Sequence, residues 1–193
     1  MKETIKQILR EGLISDEQQS PKPIRVKMDM PIPDDIKQIK DVFVKNKHKL
    51  YIVGGAVRDA ILGKTPKDYD LATDAVPDKV EEMMAKAGLK TLPTGKAFGV
   101  INVFTDTDEY EVATFRSDGE YTDSRRPDSV TFSDINSDAA RRDLTCNALY
   151  YDIDAKEVID LVGGINDIKK GIIRTVGKPE DRFKEDKLRI LRS

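Results

Sequence analysis

Leu50-Tyr51-Ile52-Val53-Gly54-Gly55-Ala56-Val57-Arg58-Asp59, followed by Asp68-Tyr69-Asp70, decides how this chain is read. The first four residues form a short apolar strand that runs straight into a double glycine. Ala56 to Leu62 then reads as a helix, stopped by Gly63. A Gly54-Gly55 turn between strand and helix lets backbone amides approach a phosphate, and the helix N-terminus adds positive potential. Arg58, in the first turn, can ion-pair with a triphosphate. Alone, a Gly-Gly is more commonly just a tight turn. Tyr69 to Ala72 reads as the next strand, with Asp68 and Asp70 two apart at its start. Side chains at that spacing share a face. Two carboxylates there repel each other unless a cation sits between them. Oxygen ligands suit Mg²⁺, which uses one or two carboxylates plus substrate phosphates. An isolated Asp-x-Asp is ordinarily a solvated turn, so the neighbours must make the case for a metal centre.

Downstream, Pro77 to Ala87 reads as a helix. Val100–Phe104 and Tyr110–Phe115 read as a hairpin turning at Asp106-Thr107-Asp108. On its second strand, Val112 and Thr114 face one way and Glu111 the other. If Glu111 shares the face of Asp68 and Asp70, the three carboxylates suit a two-metal site for in-line phosphoryl transfer. Ser117 to Pro127 is polar and reads as an exposed flexible loop. Ala139 to Leu149 reads as a helix, with Arg141-Arg142-Asp143 near its start. There Arg142 can hold phosphate and Asp143 can accept from a ribose hydroxyl; the alternative is a pair of surface arginines beside a capping Asp. Tyr150–Asp152 and Val158–Asp160 suggest a second hairpin, and Ile172 to Val176 a strand end. Pro179 to Ser193 reads as a helix on which Glu185, Arg189 and Arg192 follow i, i+4, i+7 with Asp186 adjacent. That stripe is either an ordinary salt-bridged face or an edge that reads a base, a carboxylate accepting from an exocyclic amine and an arginine donating to ring nitrogen or carbonyl.

Upstream, Ile5, Ile8, Leu9 and Leu13 place an amphipathic helix over residues 2–14, and Asp16 to Pro23 reads as a linker. Residues 33–47 read as a helix with Ile36, Ile39, Val42 and Phe43 on one face. The expected division is 1–30 as N-terminal helix and linker, 31–178 as the main domain and 179–193 as the start of a helical extension. The fold class is α+β, a small mixed sheet with helices on one face.

Composition narrows the chemistry. The 193 residues are 35% charged and 38% hydrophobic, with a formal net charge of -2. A protein that only coats nucleic acid is usually basic, so any RNA contact here must be local. Cys146 is the only cysteine and His48 the only histidine. That leaves no internal disulfide and argues against zinc hydrolases and histidine-based triads. Cys146, among Leu144, Ala148 and Leu149, reads as a core thiol, and His48 as solvated. No apolar run approaches the ~20 residues that span a bilayer. No signal peptide is visible, so a cytoplasmic setting is expected.

Five motifs occur in order: Gly-Gly-x-Val-Arg-Asp (54–59), Leu-Gly-x-x-Pro-x-Asp-x-Asp (62–70), Glu-Val-x-Thr-Phe-Arg (111–116), Arg-Arg-Asp-Leu-Thr-x-Asn-Ala-Leu (141–149) and Glu-Asp-x-Leu-Arg-x-Leu-Arg (185–192). Together, over roughly 50–192, they resemble the class II tRNA nucleotidyltransferase (CCA-adding enzyme) and bacterial poly(A) polymerase family. The resemblance implies a polymerase-β-like nucleotidyltransferase head leading into a helical neck. It implies template-independent addition of CMP and AMP, from CTP and ATP, to an RNA 3′ end, most naturally that of tRNA. The other readings are a poly(A) polymerase and a non-catalytic or partner-dependent nucleotide- or RNA-binding module. It further implies that Asp68 and Asp70 bind Mg²⁺, with Glu111 as third carboxylate, and that Gly54, Gly55 and Arg58 hold the triphosphate. Arg142 and Asp143 would contact nucleotide and ribose; of Glu185, Asp186 and Arg189 on the neck helix, Asp186 and Arg189 would pair with the base, and Arg192 would be a further nucleotide-contacting arginine. Ser117–Pro127 corresponds to a loop associated with the switch from C to A addition, and Asp160–Ile173 to the head–neck hinge. The chain stops inside the neck helix, so a longer protein, a second copy or a partner chain is expected to complete it.

Overall fold

A computed structural model describes residues 22–122 and 127–186. The amphipathic segment 2–14, most of the linker, Arg125, Arg126, Arg189 and Arg192 lie outside the described residues.

The framework is an eight-stranded mixed sheet. Its strands are β1 (Ile24–Lys27), β2 (Leu50–Val53), β3 (Asp70–Thr73), β4 (Lys90–Gly95), β5 (Val100–Phe104), β6 (Glu109–Thr114), β9 (Leu149–Asp152) and β10 (Glu157–Asp160), in the order β1-β10-β9-β2-β3-β6-β5-β4. A separate ribbon pairs β7 (Arg116–Asp118) with β8 (Val130–Phe132). Within the large sheet, β3 and β6 run parallel and every other neighbouring pair is antiparallel. The parallel pair needs a long crossover, which α3 (Pro77–Lys86), β4 and β5 supply.

Strand alternation sorts the side chains into two cores. Leu50, Ile52, Leu71, Ile101, Val103, Val112, Leu149, Tyr151 and Val158 point to one face. Against them pack Ile36, Ile39 and Phe43 of α1 (Asp34–Lys45), Ala56 and Val57 of α2 (Gly55–Ile61), Val80, Met83 and Met84 of α3, and Ile165 of α5 (Gly164–Lys170). Burial of Ile36, Ile39 and Phe43 explains why a stretch with little apolar content forms a helix here. The opposite face is smaller: Tyr51, Val53, Ala72, Tyr150 and Ile159 meet Phe115 and Ala139. Rings of Tyr51, Phe115 and Tyr150 stand 5.7–6.4 Å apart, mostly edge to face.

The α+β class is the one expected, and strands at 50–53 and 100–104 fall where the sequence places them. The sheet is larger than the small one anticipated, and α4 (Ile135–Ala140) lies on the second face, opposite the helices of the main core. Segment 139–149 is not one helix. The Asp134 side chain caps α4 by accepting from the Ser137 amide at 2.8 Å, and the helix ends at Ala140. The chain then turns to pair with residues 174–176: the Thr145 amide donates to Arg174 O and the Val176 amide to Asp143 O, both at 2.9 Å. Leu144, Ala148 and Leu149 mimic helical spacing, yet Thr145–Asn147 is a single 3-10 turn and Leu149 already opens β9. Segment 172–176 contributes one isolated bridge, Leu144 to Thr175, rather than a strand. The last helix, α6 (Pro179–Glu185), ends before Asp186, whose backbone is extended, so the stripe expected along 185–192 is not a continuous helical face at its start. Segment 1–30 is not separate throughout, because β1 adds to the sheet edge beside β10. The expected loop at 117–127 begins instead inside β7.

Candidate active site

Asp70 opens β3 opposite Val53 of β2. Leu71 and Val112 are partners across the parallel β3–β6 pair, which places Asp70 and Glu111 together one residue earlier. Leu71 and Val112 point into the main core, so Asp70 and Glu111 both point to the other face. Asp68 lies before the strand begins, so strand alternation does not orient it. Its charge is nevertheless felt at Asp70. Protein atoms desolvate part of the Asp70 carboxyl, although the residue is solvent-accessible overall, and this pushes its pKa up. Arg142 pulls it down and Asp68 pushes it up. Among the described residues, no hydrogen bond or ion pair engages the carboxylates of Asp68, Asp70 or Glu111. No group of three or more His, Cys, Asp or Glu among the described residues is drawn together closely enough to form a complete metal cage.

The glycine turn lies beside them. Gly54 has φ +70°, a conformation L side chains avoid, and its amide donates to Leu149 O at 3.0 Å. A Cβ there would stand 3.8 Å from Arg142 Nη1, so the turn and this arginine are neighbours. Arg58 reaches across from α2: Nε and Nη2 donate to Asp59 Oδ1 at 3.0 and 2.9 Å, and Nη1 to Asn147 Oδ1 at 2.7 Å. Gly55 lies next to it, its Cβ position 3.6 Å from Arg58 Nη2.

Arg142 follows α4 rather than starting a helix, and it is not a surface arginine. Its guanidinium lies 5.1 Å from the Tyr150 ring centroid and donates to Tyr150 Oη (3.0 Å) and Asp138 Oδ2 (3.1 Å). Burial works against the charge, but the Tyr150 hydroxyl and Asp138 outweigh it and keep Arg142 protonated. Asp138 is 1% exposed. It also accepts from Arg141 Nη2 at 2.6 Å and from the Tyr150 hydroxyl at 2.6 Å. Asp143 turns back on its own loop, where its Oδ1 accepts from the Leu144 amide at 2.7 Å.

Asp138, Tyr150 and Asn147 were not singled out from the sequence. Asp138 and Arg142 are an i, i+4 pair, a signal hidden once the helix is read as starting at Ala139. Cys146 is half-buried rather than a core thiol, and burial pushes its pKa up. His48 sits at the periphery, Nδ1 3.3 Å from Asp74 Oδ1.

Glu185 is the last residue of α6. It pairs with Arg182 at 3.0 Å and lines a cleft of about 330 Å³ with Arg141, Asp118 and Tyr121. Asp186 is buried beside it. The structure thus brings Gly54, Gly55, Arg58, Asp70, Glu111 and Arg142 to one region, with Glu185 lining a cleft beside Arg141.

At the end of β10, Asp160 fixes the chain's return. Its carboxylate accepts from the amides of Val162, Gly163, Gly164 and Ile165 at 2.8–3.1 Å. Asp167 accepts from Thr145 Oγ1 at 2.7 Å and ties α5 to the loop after Arg142.

The chain resembles known proteins in sequence and in fold. Residues 50–174 match the Poly A polymerase head domain family. The chain is 48% identical over 153 residues to the CCA-adding enzyme of Bacillus subtilis (strain 168), covering 79% of this chain and 37% of that protein. It is 42% identical over 166 residues to the CCA-adding enzyme of Staphylococcus aureus (strain MRSA252), covering 86% and 40%. Among solved structures, the Bacillus stearothermophilus CCA-adding enzyme in complex with CTP aligns with a TM-score of 0.72 at 38% identity, over 84% of this chain and 38% of that one. A tRNA nucleotidyltransferase complexed with a primer tRNA and an incoming ATP analog aligns with a TM-score of 0.63 at 29% identity, over 80% and 42%. The chain therefore spans well under half the length of these relatives. With residues 50–174 matched, it belongs to the Poly A polymerase head domain family.

Proposed function

We propose that this chain is the catalytic head of a template-independent nucleotidyltransferase that transfers CMP and AMP to the 3′ end of tRNA. The observation that carries the reading is the placement of Asp70 and Glu111 on one face, with Asp68 adjacent and Arg142 acting on Asp70, and with no cation among the described residues bonded to any of the three carboxylates. Such a set fits Mg²⁺: oxygen donors only, mutually repelling, and solvent-accessible for substrate phosphates to complete the coordination. Asp68 and Asp70 would hold the ion and Glu111 would assist. A divalent cation bound there supplies a lowered hydroxyl pKa for the attacking 3′ end and charge neutralisation for the triphosphate.

The remaining work falls to the chain's own groups. Arg58, steadied by Asp59 and Asn147, faces the Gly54-Gly55 turn and holds the triphosphate with it. Arg142 adds a second fixed positive charge, and Asp143 faces the ribose. Glu185 and Asp186, with Arg189 and Arg192, select the base. Catalysis is then positioning and charge stabilisation, with no covalent intermediate. The names of its relatives support tRNA as the substrate.

The reading is tested by incubating the protein with Mg²⁺, labelled CTP or ATP, and tRNA lacking its terminal CCA. Incorporation of CMP followed by AMP is expected, and it should vanish in Asp68→Ala and Asp70→Ala. Addition of AMP alone, on unstructured RNA as readily as on tRNA, would instead make the protein a poly(A) polymerase.

A further inference from the structure

Among the described residues, Arg142 bonds the carboxylate of Asp138 and acts through space on that of Asp70. Tyr150 pairs with Val53, and Val53 pairs with Asp70, so Tyr150 and Asp70 share a face two strands apart. That separation is about 10 Å. Arg142 lies over the Tyr150 ring and, among the described residues, is the strongest charge acting on Asp70. Its guanidinium nevertheless bonds Asp138, through Nη2 at 3.1 Å and Nε at 3.3 Å. The Tyr150 hydroxyl closes the arrangement, donating to Asp138 at 2.6 Å while accepting from Arg142 at 3.0 Å. A buried guanidinium needs an anionic partner. Without Asp138, Asp70, on the same sheet face and within the field of Arg142, is an alternative anionic partner.

We propose that Asp138 is a positioning residue: by committing Arg142 to itself and Tyr150, it keeps that arginine from pairing with Asp70 and so preserves the Asp68–Asp70 pair for a divalent cation. The inference rests on the reading of Asp68 and Asp70 as cation ligands. It makes Arg142 a group whose charge helps the site only when its position is held.

The test is Mn²⁺ titration of the full chain, followed by electron paramagnetic resonance, in the parent, Asp138→Asn, Arg142→Ala and the double variant. Asp138→Asn should weaken Mn²⁺ binding about tenfold, and adding Arg142→Ala should restore it to within about twofold of the parent. A purely structural role for Asp138 predicts a double variant no better than Asp138→Asn, and that result overturns the proposal. So does unchanged Mn²⁺ affinity in Asp138→Asn. Should Asp138→Asn fail to fold by circular dichroism, Tyr150→Phe replaces it. That variant keeps the ring and removes only the bridging hydroxyl, and its smaller loss must likewise be recovered by Arg142→Ala. Asp70→Asn is the control for the underlying reading: if it binds Mn²⁺ as the parent does, the carboxylates are not ligands and the proposal falls with them. If Asp70→Asn loses Mn²⁺ but Asp138→Asn does not, only the role of Asp138 is rejected.

Discussion

Asp70 and Glu111 occupy the same rung of the parallel strand pair, one residue ahead of the Leu71–Val112 contact. The relationship makes the carboxylates a property of the sheet rather than of a loop, and rigid elements hold functional groups more closely than loops do. Replacing Asp70 by Asn keeps shape and removes charge. A fall in nucleotide incorporation of roughly 10³-fold is expected, equivalent to about 4 kcal/mol of transition-state stabilisation. Glu111→Gln should cost less, because one carboxylate pair with substrate phosphates still satisfies the ion. Single-turnover rates for the two variants check the ranking.

The same site should be destabilising when no cation is present. Burial and Asp68 raise the pKa of Asp70, opposed by Arg142. A carboxylate with a raised folded-state pKa favours the fold most below its unfolded value, and that benefit is lost as pH rises through the folded value. At pH 7 the ionised Asp70 therefore works against folding. Asp70→Asn should raise the Tm of the metal-free protein slightly, and Mg²⁺ should raise the Tm of the parent but not of the variant. Differential scanning calorimetry with and without chelator measures both.

Asp138 behaves oppositely. Burial alone would raise its pKa, but Arg142, Arg141 and the Tyr150 hydroxyl hold it below the ordinary 3.8. A depressed carboxylate contributes stability that is present above the unfolded value and lost as pH falls through the folded one. The urea midpoint should decline as pH drops below about 4, and less steeply in Asp138→Asn. Equal acid slopes in parent and variant would count against the network.

Two glycines separate strain from crowding. Gly54→Ala meets no close atom, its Cβ at 3.7 Å or more from any neighbour, but must adopt φ +70°. The cost should be about 1–2 kcal/mol. Gly164→Ala would place its Cβ 2.1 Å from Thr145 O, a backbone atom tied by the Asp167 contact. A loss of about 3 kcal/mol or more is expected, lowering Tm by roughly 6–12 °C. Thermal melts of the two variants decide the order.

Which parts were legible in the sequence follows from how local their causes are. Val53-Gly54-Gly55 and Val112 betray strands and turn through alternation and glycine alone, so the β2–α2 unit and the outward Glu111 could be read directly. Edge strands β1 and β4 could not, since Ile24–Lys27 is exposed throughout and acquires its structure only by pairing with β10. Segment 141–149 was misread because Leu144, Ala148 and Leu149 fit a helical period while Thr145 and Asp143 bond to residues some thirty positions away. The same misreading concealed Asp138, so the candidate site was legible as charges but not as the network that orients them.

The central claim is that Asp68 and Asp70 bind a divalent cation together with nucleotide. Mn²⁺ electron paramagnetic resonance, with and without CTP, tests it most directly on the parent, Asp68→Ala and Asp70→Ala. The account predicts that CTP tightens Mn²⁺ binding in the parent and that either substitution abolishes the CTP-dependent signal. Undiminished, CTP-enhanced Mn²⁺ binding in both variants would contradict it.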